Sequence, residues 1–217
     1  MKTNIIARVQ NMSKSETLNI VSQDTLERIK KTDKKPEIKV YSIAHEGQAQ
    51  STELTFGGKI KKAMEYVKDM VVKIGDRLKI GTPIFNRHAE TNETENRTQI
   101  GELIGKTVRY VGDKLSTLAA VYIYPEYKKL PLDVASFEAD VEYTQKQDGT
   151  NQAIDIDNIS GIALSNSEID KPAFENATLL AVVQAFMPDD ETEEQRIINR
   201  LREIRKTNTH SERFRRS

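Results

Sequence analysis

Apolar and polar residues alternate through 135–143 of the segment 132–143, whose sequence is LDVASFEADVEY. Successive side chains of an extended strand point to opposite faces, so residues two apart share a face. One face is apolar and belongs to the core: Ala135, Phe137, Ala139, Val141 and Tyr143. The other face is polar: Ser136, Glu138, Asp140 and Glu142. The segment therefore predicts a half-buried strand with Ser136 at the head of its polar face.

Similar strand patterns recur along the chain, separated by turn signals. They cover 38–45, 79–88, 99–112, 115–125, 153–167 and 179–186, and Gly112-Asp113 and Asp148-Gly149 mark two hairpin turns. A helix is predicted over 59–76, where Ile60, Met64, Val67, Val71 and Ile74 recur at helical spacing. We expect an α+β fold: a mainly antiparallel, β-barrel-like core of about seven strands, with one packed helix and a C-terminal helix.

The distribution of charged and apolar residues divides the chain into three parts. Residues 1–37 are expected to form an N-terminal arm with one short helix, capped by Ser22 and carrying Leu26 and Ile29 on its apolar face. Residues 38–187 are expected to form the folded domain. Residues 188–217 are expected to form a charged helical tail, whose apolar stripe of Ile197, Leu201 and Ile204 could pair two copies into a homo-oligomer.

Composition excludes several kinds of chemistry and partner. The chain has 33 Lys and Arg against 33 Asp and Glu, so bulk charge predicts no nucleic-acid partner. It has no cysteine, which removes thiolate nucleophiles and cysteine metal sites, and we expect neither a metal nor a cofactor. The sequence has no apolar run of signal-peptide or membrane-span length, so we expect a soluble intracellular protein without a membrane partner.

A serine hydroxyl needs a general base to become a nucleophile near neutral pH. His88 and His45 are the candidate bases in the predicted domain, and His88 ends a predicted strand beside the polar loop 89–99. A long surface loop of this kind is typical of binding and catalytic sites. The segment 101–107, GELIGKT, has too few residues between its glycines for a phosphate-binding loop and is predicted to be strand.

Five segments in order resemble the prohead maturation proteases of tailed phages, which are related to the herpesvirus capsid-assembly protease (assemblin). They are GTPIFNRH, IGELIGK, LDVASFEADVEY, ISGIALSNSEIDKPAF and LLAVVQAF, and the resemblance covers about residues 40–186. The family order is a histidine closing a strand, an Ile-Gly strand, a serine on a later strand and a block of small residues. The chain departs from many members in having Ser-Phe-Glu at 136–138, where they have Ser-x-Gly, and Gly161, where they have a glutamate.

The resemblance implies a serine endopeptidase that cleaves phage scaffold and major capsid proteins inside the immature head, in the host cytoplasm. Ser136 would be the nucleophile and His88 the general base. Glu138 is our choice for the residue that orients His88, with Asp155, Asp157 and His45 left open. Oxyanion donors would come from a small group of candidates: Gly161, Arg87 and Arg97.

The alternative function is a non-catalytic head-assembly or scaffolding protein that retains the same fold. The two hypotheses differ in what they require of the site. For the protease, we expect Ser136 and His88 to lie on neighbouring strands with converging side chains.

Overall fold

The computed structural model describes residues 14–55, 58–89, 97–175 and 177–184. Its α-helices are α1 (Lys14–Asn19), α2 (Gln23–Thr32) and α3 (Lys68–Arg77). Its strands are β1 (Glu37–His45), β2 (Gly47–Thr55), β3 (Gly58–Tyr66), β4 (Pro83–Phe85), β5 (Gln99–Val111), β6 (Lys114–Ile123), β7 (Val134–Gln145), β8 (Asn151–Ser165) and β9 (Leu179–Gln184). A short 3-10 helix (Pro125–Tyr127) follows β6.

All these strands belong to one sheet, in the order β2-β3-β8-β4-β5-β6-β1-β9, with β7 paired to the free side of β8. The pairs are antiparallel except β3 with β8 and β4 with β8. The predicted α+β class and the mainly antiparallel pairing are confirmed. The predicted barrel closure is wrong, because β8 shares one side between β3 and β4, so the sheet divides there and does not return to its first strand.

The helix predicted over 59–76 is wrong in its first half and correct in its second. Residues 58–66 form β3, which pairs with β2 in a hairpin. Met64 and Tyr66 are buried two residues apart and Ala63 is exposed, which is a burial period of two. Ile60 lies on the same face near the start of β3 and is 48% exposed. Helix α3 then buries Met70, Val71 and Ile74. The two strands that were not predicted, β2 and β3, bring the number of strands in the described residues to nine, where about seven were expected.

Both predicted hairpin turns form where glycine permits a left-handed backbone. Gly112 has φ 64° between β5 and β6, and Gly149 has φ 85° between β7 and β8. Beyond Val141, the residues of β7 are exposed on both faces of the strand. Tyr143, predicted to be buried, is 40% exposed, and its hydroxyl accepts a hydrogen bond from Lys62 Nζ at 2.8 Å.

The main core lies on one face of the sheet. Its largest buried side chains include Tyr41, Ile43, Met70, Ile74, Ile84, Leu103, Ile162 and Phe174. Helix α3 packs closely on this part of the sheet: a Cβ at Gly75 would stand 2.3 Å from Val108 Cγ2. Lys106 fixes the end of α3 by donating from Nζ to the carbonyl oxygens of Gly75 (2.7 Å), Asp76 (3.0 Å) and Leu78 (2.5 Å). The segment 101–107 is therefore strand, as predicted, and its lysine caps a helix.

The N-terminal segment packs against β5. Ser22 caps α2 as predicted, accepting a hydrogen bond from the Thr25 N–H at 3.2 Å, and Leu26 and Ile29 are buried. Val21 forms a bridge with Gly105, where a Cβ would stand 2.2 Å from the Ile20 carbonyl oxygen. Residues 14–36 thus lie on the sheet, in the compact unit that ends at Gln184.

Two predictions concern the membrane and the tail. Among the described helices, none is long and apolar enough to cross a membrane. The predicted C-terminal helix and tail, residues 188–217, lie outside the described residues.

Candidate functional site

The outer face of β7 carries Ser136 and Glu138 as the alternation predicts. Ala135, between Val134 and Ser136, belongs to the core, and Phe137 packs against the core. Across the ladder, Ser136 pairs with Ala163 and Glu138 pairs with Gly161, both on β8. The two polar side chains are therefore on one face, roughly 7 Å apart along the strand. Ser136 is 7% exposed.

His88 reaches this face from the other side of β8. Strand β4 runs parallel to β8, with Phe85 opposite Ala163, and His88 follows Phe85 by three residues. The prediction of neighbouring strands for His88 and Ser136 is wrong, because β8 lies between β4 and β7. Strands flanking a common neighbour are roughly 9–10 Å apart, so contact between their side chains depends on small residues in the strand between them.

Gly161 supplies that small residue. A Cβ at this position would stand 2.8 Å from Phe85 Cε2 and 3.5 Å from a Glu138 carboxylate oxygen. The missing side chain leaves room for Glu138 and the residues after β4 to meet above β8. Gly161 was predicted to be an oxyanion donor. In the structure, its lack of a side chain leaves the space in which Glu138 contacts the residues that follow β4.

The Glu138 carboxylate has three partners among the described residues of the β4–β5 connection. His88 Nδ1 lies 3.3 Å from Oε1, and the Ala89 backbone N–H donates to the same oxygen at 2.8 Å. Arg97 Nη1 forms an ion pair with Oε2. The Glu138 and Arg97 side chains are 13% and 12% exposed, whereas His88 is 38% exposed. The carboxylate is thus nearly enclosed and fully engaged, and the imidazole keeps an exposed side.

These partners keep Glu138 ionised. Burial acts to raise its pKa, but the hydrogen bonds with His88, Arg97 and the Ala89 N–H outweigh burial and lower the pKa to about 2. Glu138 therefore carries a negative charge at any pH near neutrality. A fixed negative charge on Nδ1 of a histidine stabilises the imidazolium that forms when Nε2 takes a proton.

Two groups that nucleophilic catalysis uses are present, a carboxylate on the histidine and a serine on the same strand as that carboxylate, while no hydrogen bond joins Ser136 to His88 in the described part of the chain. An acid on Nδ1 fixes the tautomer that leaves Nε2 as the proton acceptor, and a hydroxyl lies two residues away on the strand that carries the acid. Phe85 and the Ala89 N–H were not predicted as site residues. Phe85 could have been found from its place in the strand before His88, whereas the Ala89 N–H depends on the conformation of the chain after β4.

The other candidates for the orienting residue lie elsewhere. Asp155 binds Lys73 Nζ at 3.1 Å, and the N–H of Ile156 together with Lys73 lowers its pKa. His45 is buried with its two ring nitrogens at 2.8 Å and 2.5 Å from the carbonyl oxygens of Glu46 and Glu175. Asp157 is exposed on β8. Of the four candidates, the structure brings Glu138 to His88.

The predicted oxyanion cations have different surroundings. Arg97 is engaged with Glu138 and stacks on Phe85, with its guanidinium carbon 3.7 Å from the ring centroid. Arg87 is exposed immediately before His88. For metals, the described residues contain no group of three or more histidines and carboxylates that could hold an ion.

Comparison with known proteins adds no constraint to this geometry. No protein-family model, no curated protein and no solved structure matches the chain. The chemistry of the site is therefore inferred from its own residues.

Proposed function

We propose that this protein is a serine endopeptidase in which Ser136 is the nucleophile, His88 the general base and Glu138 the residue that orients the base. The contact between His88 Nδ1 and the ionised Glu138 carboxylate supports the proposal, because it lies on the outer face of the strand that carries Ser136. Ion pairs between a histidine and a glutamate also occur for structural reasons. The serine on the same face favours catalysis over a purely structural pair.

In the proposed reaction, Ser136 Oγ bonds to the scissile carbonyl carbon while its proton passes to His88 Nε2. The tetrahedral intermediate collapses with cleavage of the C–N bond, and His88 returns the proton to the leaving amine. Water then attacks the acyl ester, its proton again passing to Nε2. The ester bond breaks, and Ser136 recovers its hydroxyl. Glu138 stabilises each imidazolium and stays ionised throughout.

The proposed substrates follow from the resemblance of the sequence to prohead maturation proteases. They are phage scaffold and major capsid proteins, cleaved inside the immature head in the host cytoplasm. Such substrates would be presented at high local concentration within the particle. This crowding would make a modest intrinsic rate sufficient.

Cleavage of a proteome-derived peptide library tests the enzyme class without a known substrate. New amino termini should appear with the wild-type chain and be absent with Ser136→Ala. Ser165→Ala is the matched control, since this serine lies on β8 and its hydroxyl donates to the Asp170 carboxylate at 3.5 Å. Co-expression with phage scaffold and capsid proteins then tests the substrate class. Equal cleavage by wild type and Ser136→Ala would reject Ser136 as the nucleophile.

A non-catalytic head-assembly role is the second candidate. The 7% exposure of Ser136 favours it, because a peptide carbonyl must reach Oγ for catalysis. This role predicts that Ser136→Ala supports head assembly as well as the wild type. The peptidase predicts heads that assemble with uncleaved scaffold and fail to mature.

A further inference from the structure

Arg97 and His88 bind different oxygens of the same carboxylate. Arg97 Nη1 binds Oε2 of Glu138, while Oε1 faces His88 Nδ1 at 3.3 Å and accepts the Ala89 N–H at 2.8 Å. Rotation of the carboxylate about its last side-chain bond would therefore break contacts on both oxygens at once. The orientation of the Glu138 carboxylate is therefore fixed, as well as its position.

Arg97 is itself held by Phe85. The guanidinium carbon lies 3.7 Å from the Phe85 ring centroid, and the side chain is 12% exposed. A planar guanidinium over an aromatic face gains both cation–π attraction and stacking, which an ammonium group does not match. The ring in turn lies over Gly161, where a Cβ would stand 2.8 Å from Cε2. Gly161, Phe85, Arg97 and Glu138 thus form a continuous stack from β8 to the carboxylate.

We propose that Arg97 is a positioning residue for the peptidase: by holding Oε2 of Glu138 it keeps Oε1 against His88 Nδ1 and leaves Nε2 as the nitrogen available to Ser136. This inference rests on the proposed function. Arg97 is placed behind the acid, away from the histidine contact, so its action on the reaction passes through Glu138. The planar shape of the Arg97 guanidinium, more than its positive charge, fixes the orientation of the Glu138 carboxylate.

Substitutions at Arg97 in the full chain distinguish the effect of the guanidinium geometry from the effect of its positive charge. Arg97→Lys retains a cation and guards against loss of folding, whereas Arg97→Met removes the cation and retains much of the apolar stem. Two quantities are measured for each: the rate at which a fluorophosphonate labels Ser136, and the titration of the Glu138 side-chain carboxyl by carbon NMR. Arg28→Met is the control, because it removes an arginine from another ion pair, 2.7 Å from Glu102.

Arg97→Met should raise the pKa of Glu138 towards its ordinary value and slow the labelling of Ser136 by about 100-fold, the cost of roughly 1 Å of misplacement. Arg97→Lys should keep the pKa of Glu138 low but label as slowly as Arg97→Met. Arg28→Met should label at the wild-type rate.

Labelling of Arg97→Lys at the wild-type rate would show that charge alone suffices and would overturn the positioning role. So would wild-type labelling by Arg97→Met. A wild-type chain that is not labelled would instead reject the proposed function itself, before any variant is compared.

Discussion

Replacing Glu138 by glutamine should destabilise the protein by an amount that depends on pH. Glu138 has an ordinary pKa of 4.5, which the folded protein lowers to about 2. Since a tenfold change in proton affinity corresponds to about 1.4 kcal/mol, the ionised form contributes on the order of 3 kcal/mol to folding at neutral pH. The side chain is only 13% exposed, so solvent screens little of this.

The direction of the pH dependence follows from the lowered pKa. A carboxyl with a depressed folded-state pKa gives its full stabilisation above the unfolded value, and the stabilisation is lost as pH falls through the folded value. The difference between wild type and Glu138→Gln should therefore be constant above about pH 5 and should shrink between pH 4.5 and 2. At neutral pH the variant should melt roughly 10 °C lower, as expected for a chain of this size.

Urea unfolding followed by circular dichroism, at several pH values, measures this difference. Glu142→Gln is the matched control, since Glu142 is exposed on the same strand and the substitution should change stability by less than about 0.5 kcal/mol. The reasoning is refuted if Glu138→Gln unfolds like the wild type at pH 7. It is equally refuted if the difference in unfolding free energy between wild type and Glu138→Gln stays constant down to pH 3.

Three further predictions concern the site and its support. Ser136→Ala and His88→Ala should each abolish peptide cleavage, with a loss on the order of 10⁶ that does not increase in the double variant; additive losses would contradict a shared mechanism. Gly161→Ala should lower the free energy of unfolding in urea by roughly 1–3 kcal/mol and slow cleavage, because the added Cβ would stand 2.8 Å from the Phe85 ring. An unchanged stability would show that the ring moves freely. Lys106→Met should lower stability by roughly 1–3 kcal/mol without changing the catalytic rate constant, since it removes three hydrogen bonds to carbonyls at the end of α3; a change in catalysis with stability intact would contradict this.

Seven of the nine strands in the described residues were predicted from their apolar patterns. The alternation in 132–143 identified β7 and placed Ser136 and Glu138 on one face, because a period of two is incompatible with a helix. The same logic failed at 59–66, where Ile60, Met64 and Val67 fit a helix by spacing. There, pairing with β2 decided the structure, and such a contact is invisible in a local pattern.

The site could be predicted in its parts but not in its assembly. Ser136 and His88 were candidates by residue type and strand position, and the family resemblance selected them. Glu138 was one of four candidates for the orienting residue, and the structure brings it to His88. The insertion of β8 between β4 and β7 could not be predicted, since strand order depends on long-range pairing. The part played by Gly161 followed from that order: a glycine on a strand signals close approach, but the sequence does not say of what.

The central claim is that Ser136 is an activated nucleophile, and covalent labelling tests it most directly. When the protein is incubated with a fluorophosphonate near neutral pH, the Ser136 oxygen should bond to phosphorus as fluoride leaves and His88 takes the proton. Peptide mapping by mass spectrometry should find one adduct, on Ser136, absent from Ser136→Ala and His88→Ala. An unlabelled wild type beside a fully labelled trypsin control, or an adduct on Ser165 in place of Ser136, would contradict the claim.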